Sequence, residues 1–350
     1  MDIRDLTFMI TDRCTAACDI CCFQCSPRNS FVMDESVMIR YIDEAGRLGT
    51  VDRLCFTGGE ALMYPDLVKR MMRYGKEKYG FFSTLVSNGF WAANYEKGLE
   101  LITELKECGL KAIRLSTDLY HQKYVPPETF RKALRILKET GLLLQISVLD
   151  TRGGPNIRAV LENLRPEIYS VPQIHLYPLV LPEKTCANTR LDVAGADLMT
   201  PCAWDECTCI DSSGVVLFSD GYIYCCCSHF ISDIPRVRLG KTGELTLEEA
   251  QKKINRDPVL DLLRRDSVSW FARKAMELDP DMHFKENYTV PCELCRELLQ
   301  NRELMRKLTP LAREEVWKRR MEKLMGRGLE KEDQQTAGQK GGRDERKKER

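Results

Sequence analysis

Three cysteines near the start of the chain are spaced for metal binding. Cys14, Cys18 and Cys21 are separated by three and two residues. A short loop with such gaps can bring several thiolates around one centre, and iron–sulfur clusters are held by cysteine thiolates. Three thiolates can hold three irons of a [4Fe–4S] cluster, which leaves the fourth iron free to bind a substrate or cofactor. The neighbouring Cys22 and Cys25 could supply an alternative triplet or a second metal site, but we expect neither to be a ligand of this cluster.

A second motif with possible chemistry is Thr57-Gly58-Gly59-Glu60, at the end of a predicted strand over residues 52–57. Paired glycines let a ligand approach the backbone closely. A carboxylate beside them can accept hydrogen bonds from an ammonium group. Taken alone, Gly-Gly-Glu is typical of a turn, so its meaning depends on where the fold places it.

The elements that must position these motifs alternate along the first half of the chain. Apolar runs typical of strands alternate with helical patterns that carry capping residues, in units of roughly thirty residues. Repeated strand–helix units predict a parallel sheet with helices packed outside it. The predicted strands are 6–11, 52–57, 81–87, 111–117, 143–149 and 173–180, and the predicted helices are 34–48, 66–79, 95–107 and 127–140.

One face of the predicted sheet is polar. Side chains alternate faces along a strand, and Gln145 and Ser147 form the polar set on the fifth strand, as His175 and Tyr177 do on the sixth. A closed eight-stranded barrel fills its interior with branched apolar side chains. The polar face therefore favours an α/β fold with a partial (β/α)6 TIM-like barrel and a ligand in its lumen. An ordinary open sheet with a few satisfied polar residues is the alternative.

Composition limits the function classes. The 350 residues include 53 Lys+Arg and 52 Asp+Glu, a net charge of +1, which excludes a globally basic nucleic-acid coat. There is no run of about 18 apolar residues that would span a membrane, and the first residues do not resemble a signal peptide. We therefore expect a cytoplasmic protein. Its 16 cysteines occur mostly in tight groups, which in a reducing compartment favours metal ligands over disulfides.

The cysteine triplet and the Gly-Gly-Glu motif together resemble a known family. The triplet directly after the first strand is similar to the CxxxCxxC signature of the radical S-adenosylmethionine (radical SAM) superfamily, although Ile20 stands where that family usually has an aromatic residue. In that family the reduced cluster donates an electron to S-adenosylmethionine, whose sulfonium bond breaks. The products are methionine and a 5′-deoxyadenosyl radical that abstracts a hydrogen from an unactivated C–H bond.

The resemblance also implies which residues bind the cofactor. The Gly-Gly-Glu motif would bind the methionyl amino group, and polar residues at the ends of strands three and four would contact the methionyl carboxylate or the ribose. Residues of strand five that point inward would also face the cofactor. The alternative for each strand-end residue is a hydrogen bond to nearby backbone. The predicted cofactor-binding residues are Gly58, Gly59, Glu60, Asn88, Ser116, Asp118, Gln145 and Ser147.

The C-terminal cysteines resemble a second iron–sulfur site. Cys209, Gly221 and Cys226 are similar to the Cx(9–15)GxxxxC pattern that opens the SPASM or twitch auxiliary domain of many radical SAM enzymes. Cys292 and Cys295 would return two more ligands, so that four thiolates close one auxiliary [4Fe–4S] cluster. Zinc, which also takes four thiolates, is the alternative.

The same pattern leaves the number of auxiliary clusters open. A full SPASM pattern needs a longer final cysteine run than the single CxxC found here, which favours one cluster. Cys202 and Cys207 keep a second auxiliary cluster possible.

Candidate catalytic residues lie at the predicted mouth of the barrel. Tyr120 and His121 follow strand four, and His175 and Tyr177 lie on strand six. Tyrosine and histidine can relay protons or shape a substrate pocket. A histidine in a loop is also an ordinary surface residue, so the roles stay hypotheses.

The resemblance predicts a radical SAM oxidoreductase that oxidatively modifies a peptide, by dehydrogenation or by forming a C–S, C–C or C–O bond. The same chemistry on a small metabolite is one alternative, and a non-catalytic iron–sulfur electron carrier or zinc-stabilised binding module is another. Expected partners are an electron donor such as a flavodoxin or ferredoxin and a separate peptide-recognition protein, whereas the near-neutral charge disfavours nucleic acid. The predicted organisation is a radical SAM barrel over 1–183, an auxiliary domain over 184–300, a helix over 301–326 and a disordered tail over 327–350.

Overall fold

The core of the protein is a sheet of parallel strands covered by helices. The structure is a computed structural model and describes residues 2–19, 21–150, 157–171, 174–178, 202–207, 209, 214–228, 230–265, 267–288 and 291–340. Six parallel strands lie side by side in chain order, as the partial barrel predicts. They are β1 (Asp5–Met9), β2 (Arg53–Thr57), β3 (Phe82–Ser87), β4 (Leu110–Ser116), β5 (Leu143–Asp150) and β6 (Ile174–Pro178).

The four helices predicted between these strands form within one residue of their predicted bounds, and a fifth helix, α5, was not predicted. The Asp34 side chain accepts the Ser36 N–H at the start of the first helix, and Gly49, with φ 70°, ends it in the left-handed conformation that glycine adopts without strain. The helices are α1 (Glu35–Leu48), α2 (Pro65–Tyr79), α3 (Tyr95–Glu107), α4 (Pro127–Thr140) and α5 (Ile157–Glu162).

The two faces of the sheet differ as the alternation predicts. Leu6, Phe8 and Phe56 are fully buried in the main hydrophobic core, and the rings of Phe8 and Phe56 stack with centroids 5.8 Å apart. On the opposite face of the sheet, at β4 and β5, Arg114 donates a hydrogen bond to the Gln145 side-chain oxygen at 3.2 Å. The sheet therefore packs its apolar face on the helices and leaves a polar face for a site.

The C-terminal third extends the same sheet. A hairpin forms from β8 (Gly214–Leu217) and β9 (Tyr222–Tyr224), and β8 pairs in parallel with β1 on the side away from β2. Joining β1 satisfies the row of N–H and C=O groups that an edge strand would otherwise expose. The cysteine-rich region is therefore built onto the barrel rather than held apart from it. The remaining strands are β7 (Cys202–Ala203), β10 (Arg238–Lys241) and β11 (Asn287–Tyr288).

The end of the chain differs from the prediction. The last helix continues to Lys340, so the part of the predicted disordered tail over 327–340 is helical, and residues 341–350 lie outside the described residues. This segment is rich in Glu, Lys and Gln, whose helix propensity is high without apolar periodicity. Arg320 fixes the helix to the body through the fully buried Asp261 at 2.8 Å. The C-terminal helices are α6 (Leu247–Arg256), α7 (Pro258–Arg265), α8 (Val268–Leu278), α9 (Pro291–Gln300) and α10 (Arg302–Lys340).

Within the described part of the chain, no helix combines the length and the apolar character needed to cross a membrane.

Candidate functional site

The N-terminal cysteines gather in one pocket at the carboxyl end of β1. Cys14 and Cys18 are 9% and 6% exposed, and they pack with Tyr120 and Met9, with Cys21 at the edge of the same group. This is the end of the parallel strands at which barrel active sites lie. The residue before Cys21, Ile20, lies outside the described residues.

A positively charged metal centre would favour the deprotonated form of these thiols. Burial raises the pKa of the Cys14 thiol to about 11 and places the pKa of Cys18 higher still. A hydrogen bond from Cys25 lowers the pKa of Cys21 to about 6. Two of the three buried sulfurs would therefore stay protonated near neutral pH unless a metal displaced the proton, as thiolate coordination to iron does.

The Gly-Gly-Glu segment fastens this loop to β2. The Gly59 N–H donates to the Thr11 carbonyl at 2.7 Å, and the Glu60 N–H donates to the Arg13 carbonyl at 2.9 Å. A Cβ at Gly58 would lie 2.6 Å from the Thr11 oxygen, and one at Gly59 would lie 2.2 Å from the Arg13 oxygen. The space that the glycines leave is thus filled by the chain's own backbone, a different use from the approach of a ligand that the sequence suggested. Whether their backbone also contacts the cofactor stays a prediction.

Glu60 is a fully buried carboxylate with donors on both oxygens. It accepts hydrogen bonds from the Leu62 N–H at 3.1 Å, the Ser87 hydroxyl at 3.1 Å and the Asn88 N–H at 2.8 Å. Burial raises the pKa of Glu60 to about 7, although these hydrogen bonds lower it. The charge of His121 also lowers the pKa of Glu60, but no salt bridge to Glu60 is seen among the described residues. An ammonium group beside it would therefore favour its ionised form further.

Asn88 joins Glu60 to the cysteine loop. Its side-chain amide donates to the Thr15 hydroxyl at 3.0 Å and reaches the Cys14 sulfur at 3.8 Å. Its backbone N–H donates one of the hydrogen bonds to the Glu60 carboxylate. Thr15 was not predicted as a site residue, and neither was Ser87, although Ser87 stands directly before the predicted Asn88. The position of Ser87 at the end of β3 is the sequence signal that could have identified it.

The buried Asp118 and the partly exposed His121 form a pair beyond β4. The Asp118 carboxylate accepts the Tyr120 and His121 N–H groups at 2.8 and 2.9 Å, and its other oxygen lies 2.7 Å from His121 Nδ1. Burial lowers the pKa of His121, but the charge and hydrogen bond of Asp118 outweigh it, and the net pKa is raised. Both Asp118 oxygens thus have donors, and this carboxylate fixes the orientation of the imidazole.

The polar face of β4 and β5 contains a hydroxyl without a partner. Ser116 and Ser147 are register neighbours, and the Ser147 Oγ is buried with no hydrogen-bond partner in the described structure. A buried hydroxyl without a partner is costly, so a polar ligand in the lumen would stabilise it. Gln145 lies two residues before Ser147 on the same face of β5, and its side-chain oxygen accepts a hydrogen bond from Arg114.

The predicted catalytic residues fall into two groups. The Tyr120 ring packs against the cysteine pocket, and its carbonyl lies 4.0 Å from the Cys18 sulfur. His175 and Tyr177 lie on β6 at the level of Ser147 and Leu149. The side chains of these two β6 residues lie outside the described residues, so their role stays a prediction.

The residues around the N-terminal cysteines fit both a [4Fe–4S] cluster and S-adenosylmethionine. Three thiols on one loop match the ligand type of such a cluster. Glu60 offers a buried acceptor for an ammonium group, and Ser147 offers a hydroxyl in need of a polar partner. All of these lie where the carboxyl ends of neighbouring parallel strands meet.

The C-terminal cysteines also come together. Burial raises the pKa of Cys226 well above its usual range, and the nearby Cys227, Cys292 and Cys295 raise it further. Burial also raises the pKa of Cys295, and the nearby Cys292 and Cys209 raise it further. The four predicted auxiliary ligands therefore lie within electrostatic reach of one another.

The neighbours of this group differ from one another. Cys225 is buried and Cys227 is exposed. Cys207 is buried and disulfide-bonded. Across the described residues no three Cys, His, Asp or Glu side chains converge on a single metal ion. A four-iron cluster needs no such point, because each thiolate binds a different iron.

Comparison with known proteins agrees with this geometry. Residues 8–148 match the family described as the Radical SAM superfamily. The chain is 25% identical over 305 residues to the putative peptide biosynthesis protein YydG of Bacillus subtilis strain 168, which covers 86% of this chain and 93% of that protein.

Two solved structures share the fold. Native anSMEcpe with bound AdoMet and Cp18Cys peptide superposes with a TM-score of 0.52 at 14% identity, covering 89% of this chain and 98% of the other. Native anSMEcpe with bound AdoMet alone gives a TM-score of 0.51 at 13% identity, with the same coverage. Over residues 8–148 the chain is therefore similar to the radical SAM superfamily. This match indicates an enzyme that uses a [4Fe–4S] cluster and S-adenosylmethionine, as that family does.

Proposed function

We propose that this enzyme oxidatively modifies a peptide, with one auxiliary [4Fe–4S] cluster held by Cys209, Cys226, Cys292 and Cys295. The observation that carries the proposal is the hydrogen-bonded junction of Glu60, Asn88 and the cysteine loop at the carboxyl ends of the strands. The match to a putative peptide biosynthesis protein over 86% of this chain supports a peptide as the substrate.

The chain's own residues bind and orient the reacting groups. Cys14, Cys18 and Cys21 would hold the cluster, and Glu60 would accept hydrogen bonds from the methionyl ammonium of the cofactor. When bound, the reduced cluster and S-adenosylmethionine supply a 5′-deoxyadenosyl radical that abstracts a substrate hydrogen. The hydrogen bond between the Asp118 carboxylate and His121 Nδ1 fixes the tautomer of the imidazole ring. His121 Nε2 is therefore the nitrogen that would exchange a proton with substrate.

We retain the other predicted cofactor-binding residues in this proposal. Most lie at or near the carboxyl end of a strand, whereas Gln145 and Ser147 lie within β5, and the Ser147 hydroxyl, which has no partner in the described structure, is the strongest candidate among them. The set is Gly58, Gly59, Asn88, Ser116, Asp118, Gln145 and Ser147.

The proposed setting of the enzyme follows from its chemistry. The thiols that would hold iron must stay reduced, which supports a cytoplasmic setting for the enzyme. An electron donor such as a flavodoxin or ferredoxin would reduce the N-terminal cluster, and a separate protein would present the peptide.

The test uses the anaerobically reconstituted full chain with S-adenosylmethionine and a chemical reductant. Each short peptide encoded beside the gene is added in turn and analysed by mass spectrometry for a loss of hydrogen or a new cross-link. A modified peptide with 5′-deoxyadenosine formed in equal amount supports the proposal. The control is the Cys14→Ala, Cys18→Ala, Cys21→Ala triple variant, which should form neither product.

Two other results would select the alternatives. If 5′-deoxyadenosine formation rises with a fraction of small metabolites and with none of the peptides, the substrate is a metabolite. If the loaded wild type consumes no S-adenosylmethionine at all, the chain is an iron–sulfur carrier or a zinc-stabilised module.

A further inference from the structure

A fourth cysteine shares the pocket of the three predicted ligands. Cys25 is 3% exposed and packs in one group with Cys14 and Cys18, with Cys21 at its edge. The cysteine spacing gives no reason to expect this, because Cys25 lies outside the signature. The fold nonetheless returns it to the same place.

The backbone before Cys25 is shaped to return it there. Gln24 has φ 52°, the only non-glycine positive φ in the described structure. This conformation costs about 1 kcal/mol or more for such a residue. It is held by the Gln24 N–H to the Cys21 carbonyl at 3.1 Å and by Asn29 Nδ2 to the Gln24 carbonyl at 3.1 Å. The turn reverses the chain, and the Cys25 N–H then donates to the Cys21 sulfur at 3.3 Å.

The exit of the loop is paired with its entry. The Cys14 N–H donates to the Ser26 carbonyl at 3.1 Å, and Arg13 and Ser26 form a parallel bridge. Ser26, the residue directly after Cys25, thus accepts a backbone hydrogen bond from Cys14, the first predicted ligand of the cluster. This bond holds Cys25 close to Cys14. The sulfur of Cys25 makes a long contact of 3.8 Å to the Phe23 carbonyl and also lies within hydrogen-bond reach of the Cys21 sulfur, so it sits beside a predicted ligand of the cluster.

We propose that Cys25 is a fourth thiolate ligand of the N-terminal cluster while S-adenosylmethionine is absent, and that it leaves the iron when the cofactor binds. The exchange breaks one iron–sulfur bond, the cofactor takes the freed position, and the released thiolate takes up a proton from solvent. No electron is transferred. A closed cluster keeps its fourth iron from water and from loss until the cofactor arrives. The inference rests on the cluster site and is independent of the substrate named under the proposed function.

The decisive measurement is Mössbauer spectroscopy of the wild type loaded with isotopically enriched iron. Without S-adenosylmethionine, every iron of the N-terminal cluster should show the parameters of an all-sulfur site, and adding the cofactor should make one iron distinct. In Cys25→Ala the distinct iron should already be present without cofactor. The auxiliary iron contributes equally to each sample and cancels in the difference. A distinct iron in the wild type without cofactor would overturn the proposal.

Two further readouts separate ligation from packing. Under brief exposure to air without cofactor, Cys25→Ala should lose its fourth iron several-fold faster than the wild type, and with cofactor the two should lose it equally. Since Cys25 competes for the iron, its removal should also tighten the apparent affinity for S-adenosylmethionine. The matched control is Cys22→Ala, the neighbouring and more exposed thiol, which should behave as wild type.

A purely structural Cys25 would give the opposite pattern. Cys25→Ala would then lose iron at the same elevated rate with and without cofactor, and its affinity for the cofactor would fall. Cys25→Ser, which keeps the volume of the side chain, would restore wild-type behaviour in that case. Under the proposal Cys25→Ser should resemble Cys25→Ala, because a neutral hydroxyl is a poor ligand for iron.

Discussion

The backbone N–H of Asn88 donates to the buried Glu60 carboxylate at 2.8 Å, beside the hydrogen bond that the Ser87 hydroxyl makes to the same oxygen. The side chain of the same asparagine reaches Thr15 in the cysteine loop at 3.0 Å. Asn88 therefore contacts both the group that would hold the cofactor and the loop that would hold the iron. A displacement at either place is transmitted to the other.

Glu60→Gln should weaken S-adenosylmethionine binding and reduce its pH dependence. In the wild type the pKa of Glu60 is raised to about 7, so the carboxyl becomes ionised, and pairs with the ammonium group, as the pH rises through that value. Apparent affinity should increase from about pH 6 to about pH 7, below the range in which the ammonium group of the ligand titrates. Over the same range the variant should give a flatter profile. A profile of equal slope in both proteins, measured by equilibrium dialysis, would rule out Glu60 as the titrating group.

The same raised pKa predicts an effect on folding. Between the ordinary glutamate pKa of 4.5 and about 7 the folded chain binds more protons at Glu60 than the unfolded chain does. This group therefore contributes less to the free energy of unfolding as the pH rises across that window. Urea unfolding of wild type and Glu60→Gln should show a difference that changes with pH in this sense.

Gly59→Ala should destabilise the protein more than Gly75→Ala does. The Gly59 Cβ would lie 2.2 Å from a backbone oxygen of Arg13, which cannot move without breaking the cysteine loop. We expect a loss of about 1–3 kcal/mol and reduced iron content. The Gly75 Cβ would meet a side-chain atom, the Leu54 Cδ1 at 2.6 Å, in the buried core, and the gain of about 1 kcal/mol that alanine gives a helix offsets part of this cost. Urea midpoints of the two variants measure the difference.

Iron content should separate the two clusters. The reconstituted wild type should bind roughly eight irons per chain, and the Cys14, Cys18 and Cys21 triple alanine variant about four, as expected for four-iron centres. Iron and sulfide analysis on the same samples provides the count. A triple variant that keeps all of its iron would contradict the placement of the radical cluster.

Cys226→Ala should remove the auxiliary iron, and Cys227→Ala should leave it in place. Cys226 is the more buried of the two, and its pKa responds to Cys292 and Cys295, whereas Cys227 is exposed. These adjacent residues form a matched pair, since each variant removes one thiol from the same turn. Loss of the auxiliary iron in Cys227→Ala alone would shift the ligand register by one residue.

Sequence patterns were sufficient for the strands and helices of the first half. Caps such as Asp34 and Gly49 act within a few residues, and the alternation along β4 and β5 is also local, so both can be recognised in the sequence. The position of Cys25 depends on the turn at Gln24 and on the pairing of Cys14 with Ser26, neither of which has a compositional signal. The contact between the glycines and the Thr11–Arg13 backbone likewise arises only when β1 and β2 lie side by side.

The pairing of β8 with β1 has a consequence for how the chain folds. The first strand to leave the ribosome has β2 on one side, but its other side is covered only when residues Gly214–Leu217 have been made. Until then the strand that precedes the cluster loop presents an open edge to other chains. A fragment that stops before residue 214 should therefore self-associate, even though it contains both motifs of the radical site.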